Sequence, residues 1–142
     1  MLVSEVMSRQ VVSMSLDEPC TRAARLISRY NIGAVPVCGE NGKLRGIVKD
    51  RDIVLRCVAS ENDPDTTPVK EIMSRCVLTA SPDSSVDEAA EIMSKGQIRR
   101  LPVVSKGKLV GVLSLSDISR CPECQGAASD AFAKISSNVH RL

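Results

Sequence analysis

The chain states one pattern twice, and that repeat constrains its fold more than any other feature. Glu5-Val6-Met7-Ser8-Arg9 returns as Glu71-Ile72-Met73-Ser74-Arg75, Ala23-Ala24 as Ala89-Ala90, and Pro36-Val37 as Pro102-Val103, all at a shift of 66 residues. One residue is then dropped from the Gly39–Lys43 turn. The shift becomes 65 and aligns Lys43-Leu44 with Lys108-Leu109, Gly46 with Gly111 and Asp52-Ile53 with Asp117-Ile118. Self-similarity of this length implies two copies of one supersecondary unit, each able to cover the other's apolar face. It also implies a cleft between related halves, a favoured place for small ligands.

Each copy reads strand–helix–strand–strand–helix. In the first, Gln10–Met14 is a short β-type run, and Leu16-Asp17-Glu18-Pro19 opens a helix with Cys20, Ala23, Ala24 and Ile27 on one face. Asn31-Ile32-Gly33 breaks it. Ala34–Cys38 is a strand whose Pro36 donates no ladder bond and so belongs at an edge or a strand start. Gly39–Gly42 is a hairpin turn, Leu44–Val48 the return strand, and Asp50–Val58 a second helix. The second copy repeats this with a capping box at Ser85-Val86-Asp87-Glu88, a helical face of Val86, Ala89, Ala90 and Met93, and a hairpin over 101–113. Between the copies, residues 62–68 are polar with two prolines and read as an exposed linker. Ala128, Phe132, Ile135 and Val139 give a final amphipathic helix. The fold class is therefore α/β (α+β), divided as 1–60, a linker 61–69, 70–120, and a C-terminal segment 121–142.

Composition excludes several functions. One Tyr, one Phe and no Trp leave an aliphatic core and almost no stacking platform for single-stranded nucleic acid. A net charge of +2 from 19 basic and 17 acidic residues gives no reason to invoke neutralisation of a phosphate backbone. No apolar run approaches a membrane span, and Met1–Glu5 lacks a basic region followed by an apolar stretch, which predicts a cytoplasmic chain. Its six cysteines are then mostly thiols, with Cys20, Cys38, Cys57 and Cys76 acting as small hydrophobes. No Ser–His–Asp set, P-loop or His cluster points to an enzyme, and His140 lies alone in the tail.

The motifs resemble those of CBS domains. Carrying the likeness are Val6-Met7 and Ile72-Met73, Ile-Gly-Ala-Val-Pro-Val at 32–37 matched by Ile-Arg-Arg-Leu-Pro-Val at 98–103, and the closing Gly-x-x-x-x-x-Asp-Ile at 46–53 and 111–118. Together the halves look like a tandem CBS pair, or Bateman module, over about residues 1–120. The resemblance implies β-α-β-β-α units about a pseudo-twofold axis, with two clefts between them that take AMP, ADP or ATP, and sometimes NAD or S-adenosylmethionine. It implies a homodimer with a regulatory role, read by a separate effector protein.

A nucleotide needs a carboxylate for its ribose diol, donors or positive charge for phosphate, and an apolar slot for the base. Asp117 lies where a strand turns into a helix, three residues after Ser114, and helix amides there offer an anion site. Arg100 can supply charge-assisted bonds to phosphate, although Arg99 and Arg100 also read as plain surface charge. The resemblance gives the Ser-x-x-Asp position to ribose and phosphate and sets the base against the opposite half, near Val12, Ile32 and Ala34. Ser114 and Asp117 could instead form only a capping box. Lys49 replaces the serine in the first copy yet Asp52 persists, which argues for a ligand role, because Lys49 cannot accept a capping bond. The cleft with Arg100, Ser114 and Asp117 ranks above the one with Asp52, where Lys49 either holds phosphate or is a solvated surface lysine and Ala34 replaces Arg100.

Cys121-Pro122-Glu123-Cys124 stands outside the repeat. Three readings stay open: an idle dithiol, half of a zinc, iron or disulfide site completed by a second subunit, or a redox pair. The function classes that follow are a nucleotide sensor, a dimeric scaffold with vestigial clefts, and a dithiol oxidoreductase.

Overall fold

Each repeat builds on one amphipathic helix set against a short hairpin, because the apolar spacing changes from helical to alternating at a left-handed break. In the computed structural model, which describes residues 1–136, these breaks are Asn31 (φ 52°) and Gln97 (φ 55°). The elements are α1 (Val3–Val6), β1 (Met14–Ser15), α2 (Cys20–Tyr30), β2 (Ala34–Cys38), β3 (Leu44–Lys49) and α3 (Asp50–Asp52), which continues as a π-helical stretch (Ile53–Val58). There follow α4 (Val86–Gly96), β4 (Arg100–Ser105), β5 (Lys108–Ser114), α5 (Leu115–Ser119) and α6 (Gln125–Ser136). The mixed helix-and-strand fold is that expected. Val139 and His140 lie outside the described residues.

The compact units do not follow the repeats. One unit joins Met1–Val11 to residues from Leu78 onward, and the other runs from Val12 to Val77. Each repeat's opening segment therefore packs in the unit built by the other repeat. In the first unit Ser8 and Val112 exchange two backbone bonds of 2.9 Å, and Met7 lies over Gly111. In the second, Ser74 and Ile47 do the same at 2.8 and 2.9 Å, and Met73 lies over Gly46.

In the unit 12–77, β1 pairs in parallel with β2, which pairs antiparallel with β3. The first strand is shorter than expected, two residues rather than Gln10–Met14, and in the other unit its equivalent is the single bridge Ala80–Val103. Pro36 lies in the middle strand rather than an edge. It is tolerated because β1 pairs only with Val37 and Cys38, leaving the Pro36 position open on that side. Residues 62–68 are more than a linker. Pro19 caps α2 with no side-chain bond, and the unsatisfied amides of Cys20 and Thr21 donate to Thr67 O (2.9 Å) and Pro64 O (3.0 Å). Thr67 is buried as a result.

The α2 face that buries is Cys20, Ala23 and Leu26, with Ile27 half-buried and Ala24 exposed. The equivalent Ala90 on α4 is buried, because α6 packs on α4 and α5 and shares one core with Ala89, Ala90, Met93 and Ile118. Small residues make that close approach, so α6 buries Ala128, Ala131 and Ile135, while the expected Phe132 turns out and lies 6.0 Å from the Arg99 guanidinium. Ser85 caps α4 by accepting from Glu88 N–H at 3.1 Å. In the β4–β5 hairpin, Lys106 and Gly107 both have positive φ (52° and 80°), as a two-residue primed turn requires.

Of the four cysteines expected to pack as hydrophobes, Cys20 and Cys57 are fully buried, Cys38 is half-buried and Cys76 is exposed. Burial, then the hydrogen bond with Cys57, pushes the Cys20 thiol up to about 12 from its ordinary 9.0. A thiol whose folded pKa is raised supports the fold only while protonated. Stability is therefore expected to hold below pH 9.0 and to fall as pH rises from there toward about 12. Urea unfolding under reductant at neutral and alkaline pH checks this, and Cys20→Ala should flatten the alkaline loss.

Candidate functional site

The corner where β5 ends and α5 begins gathers three expected residues. Arg100 on β4 is the ladder partner of Ser114 on β5, so the exposed guanidinium and the buried hydroxyl sit side by side at one end of the hairpin. Ser114 is the N-cap of α5. Its Oγ accepts from Asp117 N–H at 3.0 Å, and Asp117 Oδ2 accepts from Ser114 N–H at 2.9 Å. Leu115 N–H donates to Arg99 O at 2.8 Å. Two of the first three α5 amides are thus already taken, and the helix terminus is not the open anion site the sequence suggested. The Ser114 hydroxyl hydrogen remains a donor.

The other unit builds the same corner without the serine. Ala34 is the ladder partner of Lys49, and Lys49 N–H donates to Asp52 Oδ2 at 2.9 Å. The expectation that lysine here frees Asp52 from capping is overturned. The donor is the Lys49 main chain, so its side chain does not matter. Both aspartates are caps. Capping does not exhaust a carboxylate, which offers about four lone-pair positions on its two oxygens.

Each second oxygen faces an arginine that sequence reading passed over. Arg120 Nη2 donates to Asp117 Oδ1, and Arg56 Nη1 stands 3.8 Å from Asp52 Oδ1 while also donating to Ile72 O at 3.1 Å. Their spacing, three and four residues beyond the aspartate on a helix, was the available signal. Val12 and Ile32 are half-buried against the core that holds Val35, Val48 and Ile53. The structure groups them, with Ala34, in the unit of Lys49 and Asp52. Their repeat equivalents Leu78 and Ile98 share the unit of Ser114 and Asp117. Cys121 and Cys124 also lie there, their sulfurs 3.1 Å apart. Among the described residues no three potential ligands come together to hold a metal ion, and no helix is long and apolar enough to cross a membrane.

The CBS-domain family profile matches residues 3–58 and 69–123. The chain belongs to the CBS-domain family. The CBS domain-containing protein YhcV of Bacillus subtilis is 38% identical over 139 residues, covering 97% of this chain and 98% of that one. Among solved structures, Hypoxic Response Protein I, described with two coordinated zinc ions, matches with a TM-score of 0.77 at 32% identity, over 84% of this chain and 98% of that one. The CBS protein PAE2072 of Pyrobaculum aerophilum, complexed with AMP, matches with a TM-score of 0.76 at 28% identity, over 92% and 99%. The CBS pair of protein MJ0100, in complex with 5′-methylthioadenosine and S-adenosylmethionine, matches with a TM-score of 0.70 at 33% identity, over 84% and 94%. Two CBS motifs in tandem make this chain a CBS pair.

Proposed function

We propose that this CBS pair is a regulatory sensor of adenine nucleotides, read by a separate effector protein. The observation that carries the reading is the twice-built corner, in which a capped aspartate keeps spare acceptor positions beside basic side chains. At the better-equipped corner, Asp117 takes the ribose hydroxyls, the Ser114 hydroxyl donates to phosphate, and Arg100 and Arg120 supply charge-assisted bonds. At the other, Asp52 takes the ribose and Lys49 and Arg56 are the available cations, with Val12, Ile32 and Ala34 as apolar surface for a base. Solved relatives bound to AMP and to S-adenosylmethionine support this ligand class. The test is a thermal-shift and calorimetric series with AMP, ADP, ATP, NAD and S-adenosylmethionine. Specific binding at 100-fold above Kd adds about 2.7 kcal/mol of stability. A series without any shift would favour the scaffold reading.

The same reading includes a homodimer, supported by charge on equivalent helices. The α2 surface carries exposed Arg22 and Arg25 where α4 carries exposed Glu88 and Glu91, with Arg29 on α2 and Asp87 on α4 beside them. Exposed Val54, Leu55 and Val58 in the unit of α2 add apolar area. A second copy offering α4 to α2 satisfies both charge sets. Chains with Arg22, Arg25 and Arg29 changed to Glu should be monomeric by light scattering, as should chains with Glu88 and Glu91 changed to Arg. Mixing the two should restore dimers. Dimers persisting in each variant alone would refute the arrangement.

A further inference from the structure

One motif, Cys121-Pro122-Glu123-Cys124, has no part in the nucleotide corner, and the structure gives it a defined geometry. Cys121 begins a single 3₁₀ turn (Pro122–Cys124), closed by Cys124 N–H donating to Cys121 O at 3.0 Å. Such a turn holds its first and fourth Cα atoms within about 7 Å, the upper range for a disulfide. The two sulfurs are already in contact at 3.1 Å. Gln125 Nε2 bonds Ser119 O at 2.6 Å, and Cys121 N–H donates to Ile118 O at 3.1 Å, so the corner between α5 and α6 is fixed on both sides.

The two thiols are unequally exposed. Cys121 is half-buried at the margin of the core, whereas Cys124 is buried among the residues that seat α6, including Ala128, Ala131 and Ile135. One accessible thiol beside one sequestered thiol is the arrangement for stepwise exchange: the first meets the oxidant and the second resolves it. The other close pair, Cys20 with Cys57, has both members fully buried and offers no thiol to a reagent. Among the described residues no third ligand accompanies the pair to hold a metal ion.

We propose that Cys121 and Cys124 form a reversible thiol–disulfide couple, oxidised by small-molecule disulfides, that locks the corner between α5 and α6. The Cys121 thiolate attacks one sulfur of the small disulfide RSSR, forming a Cys121–S–S–R mixed disulfide and expelling RS⁻. The Cys124 sulfur, giving up its proton to solvent, attacks Cys121 Sγ and expels the second RS⁻. Two thiols of the protein are oxidised, one small disulfide is reduced, and two RSH molecules result. The new bond closes the 3₁₀ turn that links α5, with Asp117 on it and Arg120 just past its end, to the start of α6. The couple does not depend on nucleotide binding.

The test incubates the full chain in a series of glutathione buffers from reduced to oxidised, quenches with acid, alkylates, and maps tryptic peptide 121–134 by mass spectrometry. At the oxidising end this peptide should lack two hydrogens and take no alkyl group, and dithiothreitol should reverse both changes. Cys124→Ser should accumulate a glutathione mixed disulfide on Cys121, and Cys121→Ser should leave Cys124 a free thiol. Both cysteines staying fully alkylatable at the oxidising end would overturn the proposal. So would a Cys124→Ser chain without the adduct, or a stoichiometric metal retained on the pair after anaerobic purification.

Discussion

Alanine at Gly111 or Gly46 is expected to destabilise the fold by about 1–3 kcal/mol, the range of overpacking a well-filled site. At Gly111 an added Cβ would stand 2.7 Å from Met7 Sδ and 2.8 Å from Ser8 O. The sulfur belongs to a flexible side chain and can swing away. The carbonyl cannot, because Ser8 O accepts from Val112 N–H and Ser8 N–H donates to Val112 O, both at 2.9 Å. Relieving the clash means loosening both bonds, and with them the hold on the opening segment. Gly46 repeats the situation with Met73 Sδ at 2.7 Å and Ser74 O at 2.8 Å. At about 2–4 °C per kcal/mol for a chain of this size, thermal unfolding resolves the effect. Adding Met7→Ala to Gly111→Ala should recover little, since the carbonyl remains. Gly126, in α6 with no atom near its would-be Cβ, is the opposite case. Gly126→Ala should stabilise by about 0.5–1 kcal/mol through helix propensity. Equal, mild losses at all three positions would show that the opening segments are not held this way.

Asp117→Ala is expected to weaken adenine-nucleotide binding by about 10- to 100-fold, the effect of losing hydrogen bonds to a charged group. Asp52→Ala should cost less, because its corner lacks the serine and the arginine next to it on the neighbouring strand. Since Asp117 also caps α5, the alanine variant should lose about 1 kcal/mol of stability as well. Asp117→Asn separates the two roles. Its amide oxygen can still accept from Ser114 N–H, so stability should stay near wild type while affinity falls with the lost charge. Calorimetric Kd values set against urea midpoints read both effects. An alanine variant that unfolds more easily but binds unchanged would reduce Asp117 to a cap, and a greater loss at Asp52 would invert the ranking of the corners.

Local chemistry and spacing were sufficient for much of the architecture. The hairpins around Pro36 and Pro102, the helix break at Asn31, the cap at Ser85 and the Ser114-x-x-Asp117 corner all depend on residues within a few positions of one another. The repeat itself, a comparison of the chain with itself, carried the family likeness. Where one main-chain atom substitutes for a side chain, the same reasoning failed. Lys49 looks unfit for a capping box, yet its amide serves as the donor to Asp52 regardless of the side chain.

The sequence alone determined that two like units exist, what elements they contain and which carboxylates stand at their strand–helix corners. Tertiary structure decided which segment belongs to which unit. The partners Ser8 and Val112, or Pro64 and Thr21, are joined by backbone bonds that any residues could make, so no side-chain pattern announces them. It also decided that α6 buries Ala131 in the core shared with α4 and α5 and turns Phe132 outward beside Arg99. Periodicity names the apolar positions of a helix, but only the neighbouring surface selects which of them fit.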